Sequence, residues 1–529
     1  MSQKACTCRQ GPKERTKMYR KANLNQLKFE DFYLPFGGKL RSDNRWVILS
    51  KQIPWTQIEQ EYSANFSESS NAGCPPKSAR VALGALIIKE RLGTTDRETL
   101  HQISENPYLQ YFLGFSEYKD EPLFDHSLMT HFRKRFDKDT LAKINALIVD
   151  RAMEQANNSP GSCRAPDEQE QSDNDNDKPS NKGKLIVDAT CAPADVAYPT
   201  DLNLLNEARE KTEGMIDAMH APQIGKSKKP RTYRWKARMD YLAVAKRKKL
   251  GYKKVRKAIG KQLCYLKRNP GHIDTMVSAG LLTHLSKRQY RNLLVIQELF
   301  RQQQSMYDNR SHKVEDRIVS ISQPHIRPIV RGKAKSNVEF GAKISVSLVD
   351  GFSFVDRISW DNYNESGDLI DQIESYRKRF GFYPESVHAD KIYRTRSNRR
   401  YCKARGIRLS GPPLGRPKQV TEANADQLKQ EKRQYRQDES DRNAIEGKFG
   451  QGKRRFSLSR VMAKLAKTSE VAIMVSFMVM NLEKILSACL YFLLYLLCQI
   501  QTFRQEYRLN AHNRSWLRKI HIADHAGTF

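Results

Sequence analysis

The sequence contains no C-x-x-C pair. Its nine cysteines, at 6, 8, 74, 163, 191, 264, 402, 489 and 498, are scattered. That spacing excludes a zinc knuckle or ribbon and gives no disulfide framework. Reduced, intracellular thiols are expected. Acid is scarce. Asp and Glu total 59 against 92 Lys and Arg, a net charge of +33 with a pI near 9.7. That excess is more than solubility requires and points to a polyanionic partner, nucleic acid first. Long apolar runs are also nearly absent. Val471 to Leu486 is apolar and reads as a core helix, while LSACLYFLLYLLCQI at 486–500 falls short of the roughly twenty residues that span a bilayer. It reads as a terminal helix packing on the body or on a partner, with a membrane anchor as the alternative. The N-terminus is polar and basic without an apolar core, so secretion is not expected. No Ser or Tyr nucleophile motif stands out.

At 529 residues there is room for two to four domains. Residues 1–25 read as a basic tail. Residues 26–156 form an all-α N-terminal domain in which helical periodicity is clear from Ser78 onward. Gly93 ends one helix, Thr95-Asp-Arg-Glu98 opens the next, and Pro107 starts a third. A helix over 127–136 is expected to present Arg133, Lys134 and Arg135. That allows a helix-turn-helix reader of DNA; a plain packing bundle is the competing reading. Residues 157–183 are acidic, polar and free of aromatics, the composition of a disordered linker. The domain that follows is assigned to 184–486, and 487–529 to the apolar segment and a C-terminal tail.

Two apolar runs end in a carboxylate, each with the pattern of a buried strand. Lys184-Leu-Ile-Val-Asp188 is the first; Ser386-Val-His-Ala-Asp390 is the second. After Asp390 the chain turns strongly basic, with Lys391, Arg394, Arg396, Arg399, Arg400, Lys403, Arg405 and Arg408 in close succession. Glu446 falls on a charged helix further on. Two Asp at strand ends and a Glu on a helix are the oxygen ligands a hard cation takes, so a Mg²⁺ (or Mn²⁺) site of two ions is the candidate. Asp195 and Asp201 are the nearest substitutes for Asp188. Between 337 and 360 the alternation reads as a hairpin turning at Asp350-Gly351. Strand, hairpin, helix, strand, helix, strand, helix makes an α/β fold around a mixed sheet, interrupted by a helical insertion at about 202–335. Within it, 226–268 holds eighteen Lys and Arg against one acid, Asp240. Lys246, Arg247, Lys248 and Lys249 are its densest run. Such a stripe binds phosphate in a salt-sensitive way. Tyr233, Trp235, Tyr241, Tyr252 and Tyr265 either stack on unpaired bases or form the helices' buried face.

Three stretches carry a resemblance: LIVDATCAPADVAYPTDLNLLNEARE (185–210), HADKIYRTRSNRRYCKARGIRLSGPPLGRP (388–417) and DRNAIEGKFGQGKRRFSLSRVMAKL (441–465). Together they resemble bacterial insertion-sequence transposases of the DDE class. The resemblance implies an RNase H-like core with Asp188, Asp390 and Glu446 as catalytic metal ligands. It also implies DNA contacts from the insertion. Arg442, Glu446 and Lys453 match the R, E and K spacing of a Y-x₂-R-x₃-E-x₆-K signature, while its Tyr position holds Glu439. Arg442 would orient Glu446 or hold a phosphate, although an ordinary i,i+4 ion pair explains the same spacing. Gly450 and Gly452 are expected to end the helix and bring Lys453 to the DNA backbone. Arg394, Arg396, Lys246, Arg247, Lys248, Lys249, Arg133 and Arg135 complete the DNA-binding candidates.

The implied activity is binding of the transposon ends, hydrolytic nicking, and attack of the freed 3′-hydroxyl on target DNA, in a dimer or larger assembly. A cytoplasmic protein, nucleoid-associated when bound, is expected. The competing readings are an RNase H-like nuclease without strand transfer and a non-catalytic DNA-binding descendant.

Overall fold

The computed structural model describes residues 32–34, 38–64, 77–157, 181–247, 249–333, 336–412, 421 and 424–490. The expected tail at 1–25, the linker residues 158–180, Lys248 and residues 491–529 of the apolar terminal segment lie outside them. The chain divides into two compact units.

The first unit is helical: α1 (Arg45–Gln52), α2 (Trp55–Ser63), α3 (Ala79–Leu92), α4 (Asp96–Glu105), α5 (Pro107–Phe112), α6 (Leu128–Arg135) and α7 (Lys138–Asn157). Local chemistry sets most of the boundaries. The Ser78 hydroxyl accepts from the Val81 N–H, and Gly93, at φ +68°, closes α3. Thr95 caps α4 by accepting from Glu98, and Asn106 with Pro107 opens α5. The helices α1 and α2 were not separable in the sequence. They are short, and their cohesion is tertiary: Trp46 and Trp55 pack on Phe112 at centroid distances of 5.1 and 5.5 Å. Ser127–Phe136 was expected to show three basic side chains, and here the structure corrects the reading. Arg133 makes a two-pronged ion pair with Asp96, which Lys89 also contacts. Arg135 is half-buried with its guanidinium over the Phe132 ring. Lys134 alone of the three is exposed.

The second unit is built on a six-stranded mixed sheet of order β2-β3-β1-β5-β6, with β4 also paired to β3. Its elements are β1 (Lys184–Pro193), α8 (Asp201–His220), α9 (Arg234–Ala245), α10 (Tyr252–Ser278), α11 (Lys287–Asp308), β2 (Arg327–Lys333), β3 (Ser336–Val349), β4 (Phe352–Ser359), α12 (Leu369–Phe380), β5 (Ser386–Ala389), α13 (Arg396–Ala404), β6 (Arg408–Leu409) and α14 (Ala425–Arg455). A last helix, α15 (Ala466–Leu490), is mostly buried along its apolar stretch. Its residues 477–490, like residues 351–353 at the start of β4, belong to the first unit, where Asn481 is locked into a buried hydrogen-bond network with Asn145 and Ser353.

The central strand β1 runs antiparallel to β3 and parallel to β5. The mixed α/β core with a helical insertion, expected from the strand and helix pattern, is present. Asp350 and Gly351, at φ +47° and +75°, make the expected hairpin turn. The insertion has a core of its own, built from residues such as Leu205, Met215, Leu266, Ile273, Ile296 and Leu299. It stands as a packed body because each helix buries an apolar stripe. One glycine in the sheet is obligatory for close approach. A Cβ on Gly341 would lie 2.1 Å from the Ala192 carbonyl oxygen and 2.8 Å from Pro193 Cα. Both are backbone atoms of the central strand and cannot swing aside. Gly341→Ala is therefore expected to destabilise the sheet by about 3 kcal/mol, the upper end for overpacking, read as a lower urea midpoint.

Candidate active site

The alternation of β1 buries Leu185, Val187 and Ala189 and turns Asp188 the other way, half-exposed. Pairing with β5 matches Ile186 to His388 and Val187 to Ala389. One further step in that register sets Asp188 beside Asp390. The carboxylate of Asp188 accepts the Ala189 N–H at 2.8 Å. Asp390 caps a short 3₁₀ turn, Lys391–Tyr393, accepting the Lys391 N–H at 2.7 Å.

Glu446 arrives on α14. That helix is docked through Ile445, Phe449 and Gly452, all buried, and through charge. Asp438 takes both guanidinium nitrogens of Arg408, at 2.6 and 3.0 Å, and Asp441 takes Lys184 at 2.8 Å. The fully buried His388 bridges the Ser386 hydroxyl and the Asp438 carbonyl. Burial keeps its pKa below the usual value despite Asp438 nearby. Gly450 and Gly452 were expected to end this helix. It continues to Arg455, because packing outweighs the roughly 1 kcal/mol helix penalty of a glycine.

Asp188, Asp390 and Glu446 line a single cleft of about 580 Å³, together with Arg442 and Lys453. Arg442 donates to Glu446 at 2.9 Å. Lys343 and Glu365 line it too, ion-paired at 2.9 Å. Sequence reading passed over both. Lys343 sits in an ordinary strand alternation, and Glu365 lies in a polar stretch that reads as a helix cap. Neither Asp195 nor Asp201 lines the cleft: Asp195 is held by Arg460, and Asp201 by Arg317 and Gln303.

The cleft is electrostatically loaded. Burial pushes the Asp188 carboxyl from 3.8 up to about 6, opposed by the Ala189 N–H and by Arg442 and reinforced by Glu365 and Asp390. A divalent cation fits this donor set, which is all carboxylate oxygen. Its charge would offset the burial and the acid–acid repulsion that raise Asp188. Among the described residues no three His, Cys, Asp or Glu side chains are gathered closely enough to enclose one ion.

The sign of the Asp188 shift gives a stability prediction. A folded-state pKa of about 6 against an ordinary 3.8 means the folded protein holds this proton more tightly. Wild-type stability from this group then rises as pH falls from 6 to 4 and is flat below. In chelator-treated protein, Asp188→Asn is expected to melt higher than wild type at pH 7, with the gain vanishing near pH 4.

Other candidate DNA contacts lie elsewhere. The Arg394 guanidinium packs on Gly411, half-buried, and burial lowers its pKa. Arg396 is exposed at the start of α13, and Lys246, Arg247 and Lys249 are exposed between α9 and α10. None of these lines the cleft. The insertion's aromatics divide. Tyr265 is buried and donates to Asp240, and Tyr241 donates to Asn203. Trp235, Tyr252 and Tyr233 stay exposed, at 76, 56 and 40%.

Two family models match this chain: a transposase DDE domain over 387–483 and a transposase domain (DUF772) over 35–135. Both matched regions are transposase domains, and together they support an insertion-sequence DDE transposase. The DDE-domain match takes in Asp390 and Glu446, while Asp188 lies before it. The transposase is also similar to the "Uncharacterized protein ORF8 in nfe locus" of Rhizobium meliloti. The two are 27% identical over 162 residues, covering 31% of this chain and 68% of the relative. No solved structure matches the transposase.

Proposed function

We propose that this transposase cuts DNA at the ends of an insertion sequence and joins the freed ends to target DNA, with Asp188, Asp390 and Glu446 holding two divalent cations. The observation that carries the reading is the common cleft. Three carboxylates from β1, the end of β5 and α14 meet there beside Arg442 and Lys453. A divalent cation held by these carboxylates supplies Lewis-acid stabilisation of the charge that develops on the phosphoryl oxygens.

The chain's own groups do the rest. Arg442 and Lys453 bind phosphate oxygens and position the scissile bond. Arg442 also orients Glu446. The carboxylates do not attack phosphorus. Water is the nucleophile in the first step: an O–P bond forms, the bond from phosphorus to the 3′-oxygen breaks, and the products are a 3′-hydroxyl and a 5′-phosphate. In the second step that 3′-hydroxyl attacks a target phosphodiester. One P–O bond forms as another breaks, so no energy source is needed. The exposed basic run around Lys246, Arg247 and Lys249, together with Arg396, supplies phosphate neutralisation along the duplex. The protein acts as at least a dimer, since two ends must be paired, and works in the cytoplasm on the nucleoid.

The test is a duplex carrying the element's own end, incubated with Mg²⁺ and an acceptor DNA. Nicking at the end followed by joined products supports the reading. Nicking without joining indicates a nuclease. Tight, salt-sensitive binding with no nicking indicates a DNA-binding descendant.

A further inference from the structure

Glu365 lies outside all three stretches that carry the family resemblance, yet it lines the same cleft. It opens a 3₁₀ turn, Glu365–Asp368, whose start is capped by Asn364. A buried amide fixes that turn against the one that carries Asp390. The Asn398 side chain donates to Ser366 O at 2.7 Å and to Tyr393 O at 2.8 Å. The two carboxylate-bearing turns are thus held to each other by a single clip. Glu365 and its partner Lys343 are mostly buried, with side chains 17 and 15% exposed, and Lys343 also donates to the Tyr363 carbonyl. Of the acids around Asp188, Glu365 repels it more strongly than Asp390 does.

A second feature points the same way. The Tyr393 hydroxyl is fully buried and has no hydrogen-bond partner among the described residues. The charges that act on it most are Glu365 and then Asp188. A buried hydroxyl left without a partner is costly. A phenol oxygen also accepts hydrogen bonds, and the waters that a hard cation retains are good donors. The unpaired hydroxyl thus lies within electrostatic reach of the two acids that a hydrated cation would join.

We propose that Glu365 is a fourth carboxylate of the cation site, sharing an ion with Asp188, and that Lys343 is its counter-ion when no cation is bound. This rests on the cation-dependent reading of the cleft. It explains why an acid and a lysine are sequestered together in a cleft already rich in acid. On this reading, cation binding requires Lys343 to give Glu365 up.

The two residues should then act in opposite directions. Mn²⁺ binding to the full chain, without DNA, is measured by the loss of the free-ion paramagnetic resonance signal. Glu365→Gln is expected to weaken binding about tenfold, the lower end of what a metal-site partner contributes, or to remove one ion. Lys343→Met is expected to tighten it. Melting temperatures in chelator show whether each variant is folded. If Asp390→Asn loses Mn²⁺ while Glu365→Gln binds as wild type does, the proposal falls and the three-carboxylate site stands. If Glu365→Gln does not fold, unchanged or weaker binding by Lys343→Met overturns the proposal instead. If wild type binds no Mn²⁺, the cation-dependent reading of the cleft falls, and this proposal with it.

Discussion

Asp188→Asn is expected to lower Mg²⁺-dependent nicking by about a thousandfold or more. Charge stabilisation by a bound cation is worth several kcal/mol, and each 1.36 kcal/mol is tenfold in rate. Asp188 lies on the central strand, half-buried, beside Asp390 in the parallel register. An amide there keeps the shape and loses the charge. Asp390→Asn and Glu446→Gln are expected to do the same, with end-DNA binding retained in all three. Gel-shift affinity and single-turnover nicking on one substrate separate the two properties. Equal loss of binding in all three would assign these acids to the fold. Lys343→Met is a useful contrast, because it removes positive charge from the same cleft.

Arg209→Ala is expected to produce the largest loss of stability, about 3–5 kcal/mol for breaking a buried ion pair from one side. Arg209 is 1% exposed in the core of the helical insertion. It donates to Glu213 at 2.6 Å and to Asn206 at 2.7 Å. Asn269 on α10 donates to Thr212 one turn along α8. Removing the guanidinium leaves Glu213, whose pKa burial already raises, with Arg234 at 4.0 Å as its remaining cationic neighbour. The sign follows: an acid whose folded pKa is raised is stabilised by protonation, so part of the loss should return as pH falls below neutral. Replacing both partners by apolar residues, Arg209→Met with Glu213→Leu, should recover most of it, since no charge is then stranded. Hydrogen exchange of α8 and α10 reads the local effect, which a global melt of a two-unit chain would blur.

The legible parts were those written in local pattern. LIVD and VHAD read as buried strands ending in acid; that holds for Asp390, but β1 runs on past Asp188 to Pro193, because its pairing with β3 continues to that residue, and the register of β1 with β5 brings the two acids together. Asp350-Gly351 read as a turn because few other residue pairs adopt positive φ at both positions. The charge of the insertion was plain from composition. Glu446 was different. Nothing in its helix distinguishes it from its charged neighbours; it was a candidate only as a helix acid beside two strand acids, and the spacing shared with a known family supported that choice.

By itself the sequence determined the α/β plan, the helical insertion and its basic charge, because periodicity, turn residues and net charge are local or additive properties. Tertiary structure alone decided which charges are free to act. Arg133 is paired with Asp96, 37 residues away. Tyr265 is buried, while Trp235 remains exposed on the same basic stretch. The helix carrying Glu446 runs through two glycines because its buried face is packed. Glu365 entered the cleft only through the hairpin, its 3₁₀ turn and the Asn398 clip. An ionic or packing partner distant in sequence leaves no local trace, so these outcomes had to await the fold.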